Sequence, residues 1–171
     1  DLRLDIPLWD KTSFSIGKQK EPISMERLMA LGHGPLGERA AVSDALLPSR
    51  NVGVVMAGTL LNDRMTLAGG AFNNWLDKDQ PSSFDDNSTQ LVGRATWVPV
   101  QSANESTLLH LGLGLRDSDG KEGFVTQTGP EINQAPDYVA SDFFDVDGMM
   151  TYQAEASLRS GPFWLHGEYA R

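Results

Sequence analysis

Apolar and polar residues alternate along most of the chain, which is typical of β-strands with one apolar face. The clearest stretch covers residues 107–117, which read T-L-L-H-L-G-L-G-L-R-D. The same pattern predicts strands at 1–8, 13–20, 51–59, 89–99, 149–159 and 163–171. A further strand is predicted at 65–74, but which of its faces is apolar is ambiguous. The chain is therefore expected to be all-β, with about eight strands.

The segments between the predicted strands alternate strictly between short and long. The short ones are 9–12, 60–64, 100–106 and 160–162, and the long ones are 21–50, 75–88 and 118–147. Short turns at one end and long loops at the other are typical of outer-membrane barrels, whose tilted strands of about ten residues span roughly 23 Å. This rhythm favours an antiparallel up-and-down transmembrane β-barrel. A soluble β-sandwich that binds carbohydrate or another ligand stays open, because its strands also carry one apolar face.

The polar faces of the later strands carry charged side chains that a dry core does not tolerate without pairing. From strand parity alone, four basic or ionisable residues are predicted to face a water-filled lumen. They are Arg94, Arg116, Arg159 and His110.

Composition limits the other functional classes. The 171 residues suffice for one domain, and a net charge of −9 argues against nucleic acid as the main partner. The sequence contains no run of 18 or more apolar residues, so no transmembrane helix is predicted. Cysteine is absent. The histidines lack metal-ligand spacing, and no serine stands in a catalytic arrangement. We therefore expect neither an enzyme nor a protein with a metal or another cofactor.

Basic residues concentrate around the first long loop, 21–50. Lys18, Lys20, Arg27, Arg39 and Arg50 account for five of the 14 Lys and Arg residues in an otherwise acidic chain. A long connection without strands in a compact domain is usually functional. The segment therefore predicts an anion site, provided that the loop is held inside the barrel.

Four motifs resemble the phosphate-selective porins O and P. They are G-K-Q-K-E-P-I-S-M-E-R-L (17–28), G-E-R-A-A-V-S-D-A-L-L-P-S-R-N-V-G-V (37–54), T-L-L-H-L-G-L-G-L-R (107–116) and G-P-F-W-L-H-G-E-Y (161–169). The resemblance covers essentially the whole chain. It implies a trimeric, sixteen-stranded barrel in the outer membrane of a Gram-negative bacterium, surrounded by lipid and lipopolysaccharide. It also implies passive diffusion of phosphate-like anions past a constricting loop.

The chain would then supply about half of one barrel, as a single partial domain over residues 1–171. Both of its ends lie inside strand patterns, so we expect a fragment of a longer protein. Residues 21–50 would form the constricting loop.

The resemblance also assigns individual residues. Arg39 of the G-E-R motif is the first candidate for a constriction contact, and Arg27 of M-E-R is the second. Lys18 and Lys20 match the family's basic pair before Pro22, although their strand parity points them outward. They therefore either turn inward through a bulge near Gly17 or lie at the barrel rim. Arg50 is a further candidate, with pairing to Glu38 as the alternative.

One segment departs from the family pattern. Many relatives have a serine pair and a further basic residue after the first Glu-Arg, whereas this chain has Met29-Ala30 and Gly32-His33-Gly34. The departure removes hydroxyl groups that would donate to phosphate. A general small-solute porin without phosphate preference is therefore the alternative within the same fold.

Overall fold

The strands form one long antiparallel sheet and one small ribbon in a computed structural model. The structure describes residues 1–30, 32, 38–73, 89–104, 106–119, 127–128, 136, 139–142 and 148–171. The strands are β1 (Leu2–Trp9), β2 (Thr12–Lys20), β3 (Arg50–Leu60), β4 (Met65–Asn73), β5 (Thr89–Gln101), β6 (Thr107–Asp119), β7 (Gln127–Thr128), β8 (Val139–Ala140), β9 (Gly148–Ser160) and β10 (Phe163–Ala170). The helices are α1 (Met25–Leu28) and α2 (Ala41–Leu46), both in the first long loop.

The large sheet has an up-and-down topology. Its strands follow the order β1-β2-β3-β4-β5-β6-β9-β10, and each strand pairs antiparallel with the next. The ribbon consists of β7 and β8. Both the all-β class and the eight-stranded up-and-down sheet predicted from the alternation are confirmed. The sandwich alternative is wrong for these eight strands, because they form one sheet rather than two sheets packed face to face.

The two faces of the sheet have the reverse of the polarity found in soluble proteins. The strand residues that are buried and polar are Ser15, Gln19, Asn51, Gln90, Thr96, Arg116, Ser118, Thr151, Gln153, Glu155 and Ser157. The opposite face exposes Leu91, Trp97, Leu111, Leu113, Leu115, Met150, Tyr152, Leu158, Leu165 and Tyr169. Exposure reaches 66% at Leu113, whereas Thr151 is 2% exposed. A polar interior and an apolar exterior are the arrangement of a barrel wall in lipid.

The facing of β4, which the sequence left ambiguous, follows from its burial pattern. Phe72 is buried on the inner face, and Leu67 is exposed on the outer face. Small residues separate these two positions, so hydropathy alone gives little alternation there. In the described part of the chain, none of the helices has the length and apolarity needed to cross a bilayer.

The short connections are tight turns. Lys11, Leu61, Asn62 and Asp63 all adopt positive φ. Two of these turns are linked, because Lys11 Nζ donates to Asp63 Oδ2 at 3.0 Å. Hydrogen bonds from Lys11 and from Thr59 hold the pKa of the Asp63 carboxyl below its ordinary value.

The other two long connections are described only in part. Residues 74–88 and most of 120–147 lie outside the described residues. The lipopolysaccharide surroundings that the resemblance implies remain a prediction.

Two glycines of β6 create the space in which the first long loop packs. A Cβ atom on Gly112 would lie 2.4 Å from Glu155 Oε1, and one on Gly114 would lie 2.6 Å from the Ile23 carbonyl oxygen. Both glycines are on the inner face, where the L-G-L-G-L pattern alternates them with leucines. The loop therefore lies against the polar face of the sheet, on the side of the predicted lumen.

Candidate functional site

Apolar residues hold both ends of the first long loop against the inner wall. Ile23 and Leu47 are buried in one cluster with Val55, Phe72 and Val92 of three neighbouring strands. Because these two loop residues lie near the start and the end of the loop, the cluster fixes both ends of the loop against the inner face of the sheet. Burial of such side chains is worth roughly 1.5–3 kcal/mol each.

Two carboxylates of the wall hold helix α1. Ser24 caps the helix by accepting a hydrogen bond from the Arg27 backbone N–H and donates its own hydroxyl to Glu168 Oε2 at 2.6 Å. The backbone N–H groups of Met25 and Glu26 donate to Glu155 Oε2 and Glu168 Oε1, at 2.8 and 2.7 Å. The two strand positions are direct cross-strand partners. Unpaired N–H groups at a helix start favour negative charge, so the wall carboxylates position the loop.

Arg94 and His110 of the inner wall surround Glu155. Arg94 donates to Glu155 Oε1, and His110 Nε2 lies 2.8 Å from the same oxygen. Gln153 donates to Oε2 at 2.9 Å. The carboxylate is fully buried, and this cluster compensates its charge. Arg94 and His110 therefore both lie on the inner face, where the Arg94 guanidinium is paired with the Glu155 carboxylate.

Arg116 is paired in the same way at the start of the loop. Its Nε donates to Glu21 Oε2 at 2.7 Å, and Asn51 donates to the other oxygen at 2.6 Å. All three side chains are buried. Arg116 therefore faces inward as predicted, and its charge binds the loop to β6. Arg159 has inward parity but is exposed beside the short turn at the end of β9.

The guanidinium of Arg27 braces the loop internally. Nη1 donates to Asp44 of α2, Nη2 donates to the Leu47 carbonyl at 2.9 Å, and Nε donates to the Pro48 carbonyl at 3.1 Å. This residue was the second candidate for an anion contact. These three hydrogen bonds lie within the loop, so the position of Arg27 suits a structural role that fixes α1 against the end of α2.

The two lysines at the end of β2 separate. Lys18 is exposed on the outer face, whereas Lys20 turns over the rim and donates to the carbonyls of Leu28 and Met29, at 3.1 and 2.8 Å. The pairing of β2 with β3 runs unbroken from Thr12 to Lys20, so no bulge near Gly17 re-aims them. Lys20 therefore lies at the rim, whereas Lys18 stays on the outer face.

A basic cavity lies between the loop and the first three strands. Its volume is about 540 Å³, and its lining comprises Arg3, Lys20, Arg39, Arg50, Asp1, Leu28 and Ala30. Four cations thus face one carboxylate in a chain whose net charge is −9. Arg50 Nε donates to Asp1 Oδ1 at 2.6 Å, and this contact takes the place of the pairing with Glu38 considered above.

Several site residues were missed from the sequence. Arg3 lines the basic cavity, although it appeared only as the polar face of the first strand. Glu21, Glu155 and Glu168 position the loop. Their parity or loop position was visible, but their partners are 95, 130 and 144 residues away in the chain. The inward glycines of β6 were the one available signal that something packs there.

A family model for phosphate-selective porin O and P matches residues 1–171, the whole chain. The chain belongs to the phosphate-selective porin O and P family. This family consists of channels rather than enzymes, and it implies the Gram-negative outer membrane. No curated protein and no solved structure gives a significant match. The suspected family is therefore confirmed, and the inverted sheet polarity agrees with it. Within the described residues, no group of three or more His, Asp or Glu side chains is placed to hold a metal ion.

Proposed function

We propose that the chain forms part of a trimeric outer-membrane porin barrel that passes phosphate-like anions by passive diffusion. The loop of residues 21–50 narrows the lumen, and the basic cavity selects the anion. The sheet ends at β1 and β10, whose outer edges have no partner strand among the described residues. Unpaired edges in a membrane are costly, so further strands completing a sixteen-stranded barrel are part of the proposal.

The observation that carries the proposal is the concentration of cations in the basic cavity. Arg39 and Arg50 offer planar forks of donors that match a phosphate, and Lys20 offers a compact point charge. A cavity with walls of low dielectric constant strengthens their field and raises the local concentration of anions. We expect binding that is weak enough for release, because conduction requires that the ion leaves again.

The wall cations do not contribute a second strong anion site. Arg94 and Arg116 pair with buried carboxylates of Glu155 and Glu21. Their charges serve mainly to hold the loop. This local balance is the observation that favours the second candidate, a general small-solute porin with little phosphate preference.

Ion selectivity in planar bilayers tests the proposed function. Under a potassium chloride gradient, the full-length protein containing this chain should give a reversal potential that is shifted from zero toward the equilibrium potential of chloride. A reversal potential near zero would favour the general porin. A shift toward the equilibrium potential of potassium would contradict the basic constriction.

A further inference from the structure

A second cavity lies on the other side of the loop, against β10. Its volume is about 450 Å³, within the range of small-molecule sites. Arg39 and Ala30 line both this cavity and the basic one, so the two are adjacent. The loop thus lines a basic compartment beside β1–β3 and a second compartment beside β10.

The charged side chains that line the second compartment are mostly negative, whereas those of the basic compartment are mostly positive. Three carboxylates line the second compartment, those of Glu26, Glu38 and Glu168, against the single guanidinium of Arg39. Glu26 and Glu38 belong to the loop, so part of this negative charge comes from the loop itself. A hydrogen bond from the Ala40 backbone N–H to the Glu26 carboxylate, at 3.0 Å, holds Glu26 in place. An anion that occupies the basic compartment would therefore have a neighbouring region that favours positive charge.

An aromatic side chain adds a second feature to this compartment. Trp164 is on the inner face of β10 but is 39% exposed, whereas Ser157, to which its Nε1 donates at 2.5 Å, is 5% exposed. Its ring lies 5.8 Å from the ring of His166 at an angle of 34°. A fixed, accessible indole close to carboxylates is the arrangement that binds organic ammonium groups through cation–π and charge attraction.

From these adjacent compartments we infer that the porin prefers zwitterionic aminoalkyl phosphates over simple alkyl phosphates. The phosphate lies among the cations of the basic cavity, and the ammonium group lies between Trp164 and the carboxylates that include Glu38. This inference rests on the proposed function, because it uses the same phosphate site. It adds a substrate class that a uniformly basic pore would disfavour, since an ammonium group lowers the net negative charge of the ligand.

Block of the chloride current by two nearly isosteric probes, ethyl phosphate and 2-aminoethyl phosphate, provides the test. In the wild-type full-length protein we expect 2-aminoethyl phosphate to block at a concentration about three- to tenfold lower. Trp164→Leu should remove this preference while block by inorganic phosphate stays unchanged, and Trp164→Phe should keep most of it. Glu38→Gln, which changes one charge and almost no volume, should reduce the preference and serves if the tryptophan variant does not assemble.

The outcomes separate the two proposals. Equal block by both probes, or stronger block by ethyl phosphate, would overturn the zwitterion preference and leave the phosphate site standing. A preference that survives both Trp164→Leu and Glu38→Gln would show that the second compartment is not its source. Failure of inorganic phosphate and of both probes to block would instead contradict the proposed function itself.

Discussion

At the scale of single residues, strand parity predicted which face many side chains occupy, but their partners could not be predicted from the sequence. Strand parity correctly turned Arg94, Arg116 and His110 inward, because residues two apart share one face of a strand. It did not reveal that Glu155 contacts Arg94 and His110 or that Glu21 pairs with Arg116, because these contacts join residues far apart in the chain. Strand parity considered alone therefore overestimated the positive charge that the wall offers to an anion.

Arg39 is the residue on which anion binding should depend most. Arg39→Ala removes a charged donor from the loop at the boundary of both cavities, and charge-assisted hydrogen bonds are worth about 1.5–3 kcal/mol. We expect phosphate block of the chloride current to weaken by about tenfold or more. Arg50→Ala is the matched control, since Arg50 pairs with Asp1 and is partly exposed, and its effect should be smaller. Equal and negligible effects would show that neither arginine contacts the anion.

Glu155 sets how much positive charge the wall presents. Glu155→Gln preserves size but leaves Arg94 and His110 without their shared carboxylate. If the carboxylate lies about 8 Å from the ion path, its charge shifts the energies of chloride and of potassium by about 0.5 kcal/mol each in water, in opposite directions, so the chloride-to-potassium permeability ratio should rise about fivefold. Asp117→Asn makes the same change of charge on the outer face of β6 and should leave this ratio unchanged. A ratio that does not rise in Glu155→Gln would place the carboxylate away from the ion path.

At the scale of elements, the strands were predicted well and the interior of the loop was not. The bounds of most predicted strands agree with the structure to within a few residues, because alternation is a strong signal wherever one face meets lipid. The main differences are the later end of β6, at Asp119, and the short ribbon of β7 and β8 inside the third long connection. Helices α1 and α2 are only 4 and 6 residues long, too short for a helical hydrophobic period to identify.

Loop docking depends on the inward glycines of β6. In Gly114→Ala the new methyl group would lie 2.6 Å from the Ile23 carbonyl oxygen, and overpacking of this kind costs about 1–3 kcal/mol. We expect the loop to loosen, so that trypsin cleaves it faster after Arg27 or Arg39 in the folded protein. Gly93→Ala on neighbouring β5 is the control, since nothing lies within 4 Å of the added Cβ. Equal cleavage rates in both variants would mean that β6 does not support the loop.

At the scale of the whole molecule, the reversed polarity of the sheet decides between water and lipid as the surroundings. The sequence could predict that the polar face points inward but not what covers it. Coverage depends on a loop that folds back onto this face, and the inward glycines of β6 were the one local signal of that contact. With the polar face buried, the exposed leucines of β5, β6 and β9 form an apolar outer surface that suits contact with lipid.

Leu113, on the outer face of β6, gives a direct test of this orientation. Leu113→Arg should lower the free energy of unfolding in lipid vesicles by about 2–4 kcal/mol if the residue lies near the bilayer midplane. Leu61→Arg, in an exposed turn outside the strands, should change that free energy little. In a soluble protein both substitutions would be nearly neutral, so equal values measured by urea titration would contradict the membrane orientation of the sheet.

The central claim is that the channel selects phosphate-like anions at a basic constriction. The most direct measurement is the single-channel chloride conductance of the full-length protein in planar bilayers as inorganic phosphate is titrated in. We predict a stepwise chloride current that phosphate blocks in a saturable manner, with weaker block in Arg39→Ala. A chloride current that stays constant at all phosphate concentrations would contradict a phosphate-selective site in the loop.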